Sequence, residues 1–138
     1  PMIMAAHILC TELDENYPAS MSKNIITDLL RDEMGFEGVV ITDDLTMGAI
    51  SESYSFGDAA VLSINAGCDI LSICFGKDNV KQAVKAIKEA VENGAITEER
   101  IDESVRRILK LKEDYNVTSE VVEMPDIDEL NSKTAKFQ

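Results

Sequence analysis

Apolar and polar positions along this chain switch between a strand-like and a helix-like spacing, and the switching predicts strands separated by helices. Met2-Ile3-Met4-Ala5-Ala6 is a short apolar run with His7 at its end, read as a first strand over 2–6. Thr11, Glu12, Asp14, Glu15, Asn16 and Pro18 then make a polar loop. Ser22 suits a helix N-cap. Ile25, Ile26, Leu29, Leu30 and Met34 follow at steps of three and four, an amphipathic helix that Gly35 stops. Val39-Val40-Ile41 is a continuous β-branched run, the pattern of a parallel strand covered on both faces, placed over 38–42. A loop through Met47 reaches about Ser55, a small-residue helix spans about 57–66 up to Gly67, and a third strand spans about 70–74.

A third helix starts near Asp78, with Val80, Ala83, Val84, Ile87 and Val91 as its stripe and Asn93-Gly94 as its end. Thr97 can cap a fourth, with Glu98 and Glu99 at the positive end of its dipole and Ile101, Val105, Ile108 and Leu109 as its buried face. Strand and helix in alternation make an α/β series of about three βα units plus a C-terminal helix, with right-handed crossovers. After Val117 the pattern stops, and residues 118–138, with their acids and Pro125, read as a linker or tail.

The candidate chemistry lies where the second strand ends. Asp43 and Asp44 follow Thr42 directly, and the carboxyl end of a buried parallel strand is where an α/β enzyme places its reacting groups. The plainer alternative is that the two acids solvate a strand end and start a loop. His7, the chain's single histidine, ends the first strand and can share that face. Cys10, Cys68 and Cys74 have no metal-like spacing, and the latter two are read as small hydrophobes. No metal cluster, phosphate loop, nucleophilic triad or cofactor motif is visible.

Composition narrows the classes. The formal net charge of −13 opposes nucleic acid and anionic membrane surfaces. No apolar run approaches the ~20 residues of a membrane span. A cytoplasmic location is the expectation, with an exported parent left open. The 138 residues fit one domain, whereas a complete (β/α)8 TIM barrel takes roughly 250.

The wording of the chain adds a resemblance. Pro18-Ala19-Ser20-Met21-Ser22, Ile26-Thr27-Asp28-Leu29-Leu30-Arg31 and Gly35-Phe36-Glu37-Gly38-Val39-Val40-Ile41-Thr42-Asp43-Asp44-Leu45 closely resemble glycoside hydrolase family 3, in its bacterial β-N-acetylhexosaminidase branch. The likeness continues through Ala66-Gly67-Cys68-Asp69 and residues 100–108, and covers roughly 1–117. It implies that residues 1–117 are the C-terminal portion of a catalytic TIM barrel, a piece made by truncation, proteolysis or a gene boundary. It implies a retaining glycosidase that removes terminal β-linked N-acetylglucosamine through a covalent glycosyl-enzyme.

Asp43 then falls at the nucleophile's position. His7, Asp44 and Met47 become substrate-binding or supporting residues, Met47 facing the sugar's acetamide or packing in the core. The branch's histidine acid/base belongs to a Lys-His-Phe-Pro-Gly-His-Gly type loop absent from this sequence, so the chain alone is expected to be inactive. Its partners would be an N-acetylglucosamine-containing glycan and either the missing N-terminal half of the barrel or a second copy, covering an inner face around Met4, Val40 and Ile73. Two other readings are a non-catalytic half-barrel assembly unit and, with a poor fit, a receiver-like phosphoacceptor whose paired acids hold Mg²⁺.

Overall fold

The computed structural model describes residues 1–117 and 126–134. Three parallel strands, β1 (Met2–Ala5), β2 (Val39–Asp44) and β3 (Ile70–Ser72), form one sheet in the order β1-β2-β3. β1 is one residue shorter than its apolar run. β2 runs two residues beyond Thr42 and so takes both acids into the strand. The helix between β1 and β2, Asn24–Glu33, is wound as a π-helix. Its last bonds show the wide winding, Met34 N–H to the Leu29 carbonyl at 2.9 Å and Phe36 N–H to the Leu30 carbonyl at 3.1 Å, with Gly35 at φ +68° making the turn out. A short turn of helix, α1 (Gly48–Ser51), breaks what the sequence reads as loop, and α2 (Phe56–Ala66) returns the chain to β3. Ser55 caps α2 by accepting the Asp58 N–H at 3.1 Å.

Then α3 (Lys77–Glu92) and α4 (Glu98–Asp114) follow in direct succession, and the Thr97 hydroxyl accepts the Arg100 N–H at 3.1 Å to start α4. Within the stretch read as linker or tail, Ile127–Thr134 is helical, α5, started by Asp126 accepting from the N–H groups of Asp128 and Glu129. A local cap outweighs the weak apolar stripe there. The rest of that stretch, 118–125 and 135–138, lies outside the described residues.

Helices cover one face of the sheet. Val40 is fully buried with Ala5, Ile26, Ala66 and Cys68. Met21, Leu45, Ile50 and Ala59 make a second cluster near the carboxyl ends, and Ile64, Ala90 and Ile96 a third between helices. The opposite face is open. Met2 and Met4 are 49% and 59% exposed, and Ile41 and Ile70, paired across β2 and β3, are only half-buried. This corrects the expected inner face: Val40 points to the helices, and Ile73 packs against the Met21–Leu45 cluster. The pleat explains it, because neighbours on a strand face opposite sides and Met4, not Val40, lies beside Ile41. Cys68 is buried as expected, but Cys74 is exposed.

At the amino ends of the strands the packing is ionic. The Asp69 side chain has no exposed surface, and it accepts from Arg31 at 2.8 Å, Arg107 at 3.1 Å, the Ser104 hydroxyl at 2.7 Å and the Val40 N–H at 2.9 Å. Arg100 lies 3.5 Å away and donates to the Ile64 and Cys68 carbonyls. Arg31 also donates to the carbonyls of Phe36, Gly38 and Gly67. Burial pushes the Arg100 guanidinium below its ordinary range, as does neighbouring Arg107, against the pull of Asp69. α4 therefore turns a polar face inward, while Val105 and Leu109, read as buried, are 45% and 59% exposed. On α3 the buried residues are Ala83 and Ala90, and Val80 and Val84 are exposed.

Asp69→Ala strands three guanidinium groups at this junction. Breaking a buried pair costs about 3–5 kcal/mol, and an exposed pair about 0–1 kcal/mol. Urea denaturation is therefore expected to show a large loss of stability for Asp69→Ala. Asp28→Ala, which cuts the surface pair with Lys23, should leave the midpoint nearly in place. Equal effects would refute the hub.

Candidate active site

The carboxyl end of β2 is irregular, and the irregularity isolates Asp43. Ile41 pairs with Ile70 and Asp44 pairs with Ser72, so β2 carries one residue more than β3 between the two pairs. The Thr42 hydroxyl takes the Ser72 N–H at 3.0 Å, and the Leu45 N–H goes to the Ser72 carbonyl at 2.9 Å. A bulge of this kind re-aims a side chain and strengthens local twist. Thr42 is fully buried, while Asp43 is half-buried on the same face as Ile41. The Asp43 Oδ1 accepts the N–H of Asp44 at 2.8 Å, the hydrogen bond described for this carboxylate. One oxygen is oriented by the backbone, and the group stays accessible at the open end of the sheet.

Asp44 is used differently. Its Oδ1 accepts the Thr46 N–H at 3.0 Å and the Cys74 N–H at 3.0 Å, and its Oδ2 accepts the Thr46 hydroxyl at 2.5 Å. Partial burial acts to raise its pKa. The Thr46 hydroxyl and the Cys74 and Thr46 amides outweigh that and bring it down from 3.8 to about 2. Asp44 is a fixed anion that ties the loop after β2 to the tip of β3.

His7 is locked by both ring nitrogens. Its Nε2 donates to the Asp44 carbonyl at 3.0 Å, and its Nδ1 is 2.7 Å from the Ser20 hydroxyl. The carbonyl can only accept, so Nε2 carries the proton, and in the neutral ring Nδ1 accepts from Ser20. Met47 is 46% exposed on the turn before α1, where its carbonyl accepts the Ile50 and Ser51 N–H groups. It stands at the rim and outside the core. Asp43, Asp44 and His7 thus share the carboxyl end of the sheet, with Met47 on the adjoining loop.

Sequence reasoning did not assign Ser20, Thr42, Thr46 or the Cys74 amide. Ser20 and Thr42 stand in the motif segments and Thr46 just beyond one, but nothing in their spacing shows which groups they hold. Cys68 is no nucleophile: burial first, and then neighbouring Asp69, push its thiol up to about 12. Among the described residues no group of three or more His, Cys, Asp or Glu side chains could hold a metal ion. Nor, among them, is any helix long and apolar enough to cross a membrane.

Known proteins are similar to this chain in sequence and fold. "Beta-hexosaminidase A" of Pseudoalteromonas piscicida is 35% identical over 128 residues, covering 80% of this chain and 21% of its own length. "Beta-N-acetylglucosaminidase/beta-glucosidase" of Cellulomonas fimi is 37% identical over 95 residues, 69% of this chain and 16% of its own. The solved structure of a glycoside hydrolase family 3 beta-N-acetylglucosaminidase from Paenibacillus sp. superposes with a TM-score of 0.86 at 40% identity, over 91% of this chain and 24% of that one. The chain thus spans about a fifth of the length of the curated relatives it matches. The model of the glycosyl hydrolase family 3 N terminal domain matches residues 1–111, which include the sheet, the Asp69 hub and the bulge. With the family model running through the whole strand-and-helix series, and solved relatives superposing on it, this chain belongs to glycosyl hydrolase family 3.

Proposed function

We propose that residues 1–117 are the C-terminal portion of a family 3 catalytic barrel whose parent removes terminal β-linked N-acetylglucosamine from peptidoglycan fragments or chitooligosaccharides. The observation that carries this is the placement of Asp43, a half-buried carboxylate in a bulge at the carboxyl end of the central strand, oriented by the Asp44 N–H. Two of the similar proteins are named for N-acetylglucosamine chemistry, which supports that glycan class. The sheet's open face and the small share of the relatives' length support a partial barrel.

The mechanism follows from two roles, a carboxylate nucleophile and a separate acid/base. An Asp43 oxygen attacks the anomeric carbon while the bond from that carbon to the leaving-group oxygen breaks, and an acid gives the leaving-group oxygen its proton. A covalent glycosyl-enzyme results. Water, losing a proton to the same acid/base group, then attacks the anomeric carbon, frees the sugar and returns Asp43 as a carboxylate, with retention of configuration. The Asp44 amide at Oδ1 orients the Asp43 carboxylate for attack. Met47 at the rim meets the sugar's acetamide group. The acid/base is not His7, whose two nitrogens are engaged. It comes from a part of the parent outside these residues.

Three outcomes follow. The isolated chain is expected to hydrolyse aryl N-acetylglucosaminides at least about 10²–10⁴-fold more slowly than a complete relative, since general acid/base catalysis is worth that much. Turnover near a relative's rate would refute the partial site. In the full-length protein, a fluorinated N-acetylglucosaminyl donor should leave its sugar on the peptide containing Asp43, and Asp43→Ala should abolish both labelling and turnover. A label on Asp44 would move the assignment by one residue. Asp44 itself has a lowered folded-state pKa, so its contribution to stability is present above pH 3.8 and is lost as the pH falls towards 2. The stability advantage of the wild type over Asp44→Asn, whose residue 44 does not titrate, should therefore be full above about pH 3.8 and shrink as the pH falls towards 2, measured by urea unfolding followed by circular dichroism at a series of pH values.

A further inference from the structure

We propose that His7 and Asp44 are positioning residues for Asp43, lacing the tips of all three strands so that the nucleophile's carboxylate is held in one place. This rests on the reading of Asp43 as nucleophile and goes beyond it by assigning what fixes that residue.

The geometry points to Asp44 as the crossing point. Its main-chain carbonyl receives His7 Nε2 from the tip of β1 at 3.0 Å, and its carboxylate receives the Cys74 N–H from beyond the tip of β3 at 3.0 Å. Its own N–H is the donor on Asp43 Oδ1 at 2.8 Å. Thus the peptide unit that orients Asp43 belongs to a residue pinned from both sides. The pinning is needed because the bulge removes regular pairing here: between Ile41 and Asp44 the backbone ladder to β3 is interrupted, and the Thr42 hydroxyl substitutes for a backbone acceptor. On the other side, the β1–β2 register ends at Ala5 and Thr42, one residue short of Asp43. Side-chain ties replace the ladder where it stops.

The His7 ring is itself held. Ser20 takes Nδ1 at 2.7 Å, and the Ser20 carbonyl accepts the thiol of buried Cys68 at 3.4 Å. Ser20 has no exposed surface. The ring is thereby anchored to the packed layer between sheet and helices, and its free nitrogen is delivered to Asp44. Neither side chain has a reason to meet the substrate. Asp44 has its oxygens taken by three donors, and His7 has both nitrogens taken.

Amide isosteres of the imidazole separate positioning from mere structure. His7→Gln places an amide where Nε2 stands and keeps the tie to Asp44. His7→Asn places one where Nδ1 stands and keeps only the tie to Ser20. The experiment is made in the full-length protein that carries this chain, with an aryl N-acetyl-β-glucosaminide as substrate. Turnover is normalised to the active sites trapped by the fluorinated donor, so that unfolded molecules are not counted. Misplacement of a reacting group by ~1 Å costs on the order of 10²-fold. His7→Asn and Asp44→Asn are expected to lower kcat by about that factor with KM within about twofold. His7→Gln should recover most of it.

Equal kcat in His7→Gln and His7→Asn, or a worse His7→Gln, would overturn the proposal, because a packing role depends on the Ser20 side. If His7→Asn does not fold, Asp44→Asn decides alone, and normal kcat in it also overturns the proposal. Asp43→Ala is the control for the underlying reading: turnover surviving there defeats the nucleophile assignment, whereas an inactive Asp43→Ala beside unimpaired His7→Asn and Asp44→Asn defeats the positioning roles alone.

Discussion

Asp69 has no exposed side-chain surface, and it sits where the turn after α2 enters β3, among guanidinium groups from two helices. Removing such a carboxylate from water costs several kcal/mol unless its lone pairs are met by well-placed donors. Here they are met by Arg31, Arg107, Ser104 and the Val40 N–H, with Arg100 alongside. Arg31 and Arg100 in turn donate to carbonyls at Ile64, Gly67 and Cys68, at the end of α2, and at Phe36 and Gly38, before β2. Several of those carbonyls lie at a helix end, where the helix's own ladder runs out of donors. One charge thus sets the seat of the π-helix, α2 and α4 against the strands. Gly67 is part of the same constraint: its φ of +116° suits glycine, and a Cβ there would stand 2.8 Å from the Thr27 hydroxyl.

The two ends of the sheet consequently obey different physics. At the amino ends, backbone polar groups are saturated and charges are paired out of water, which fixes geometry. At the carboxyl ends, the ladder is broken by a bulge and a carboxylate is left half-buried. A reactive group has to remain available, so it cannot be locked by full pairing. It also has to stand in one place, so the residues around it must be locked instead. Asp43 and Asp44 divide these demands between adjacent positions: one donor on Asp43, three on Asp44.

Much of this was legible in the chain. The β-branched run, the glycine stops, and the Ser55 and Thr97 regions gave three strands and the helices between them, because hydrophobic period and capping are local signals. The strand pattern placed Asp43 at the carboxyl end of β2, where the structure has it, and the resemblance is what singled it out for a chemical role. What failed were inferences that needed the third dimension. Val40 was assigned to the open face because a continuous apolar run does not reveal its pleat, and the face is settled only by pairing with β1. The buried side of α4 was read from its aliphatic residues, whereas Arg100, Ser104 and Arg107 turn inward because Asp69, more than thirty residues earlier, waits there. Residues at the far ends of long loops carry no periodic mark of their meeting. The π-winding of Asn24–Glu33 likewise left no trace in a stripe spaced by threes and fours.

On the reading proposed here, the open face and the need for an acid/base from elsewhere are two aspects of one geometry. Met2, Met4, Ile41 and Ile70 leave apolar surface on the side of the sheet to which Asp43 also belongs. A parallel sheet is stable when both faces are covered. On the reading proposed here, further strands of the same barrel would bury those residues by closing the sheet. The same closure would set the loops of those strands over the carboxyl rim, opposite Asp43, where a separate acid/base has to stand. A second copy of this chain could cover the methionines, but it would bring another Asp43 and another engaged His7, and so no proton donor. The hydrophobic requirement alone admits either partner. The chemical requirement admits only a partner that supplies an acid/base, and that is what distinguishes barrel closure from simple dimerisation.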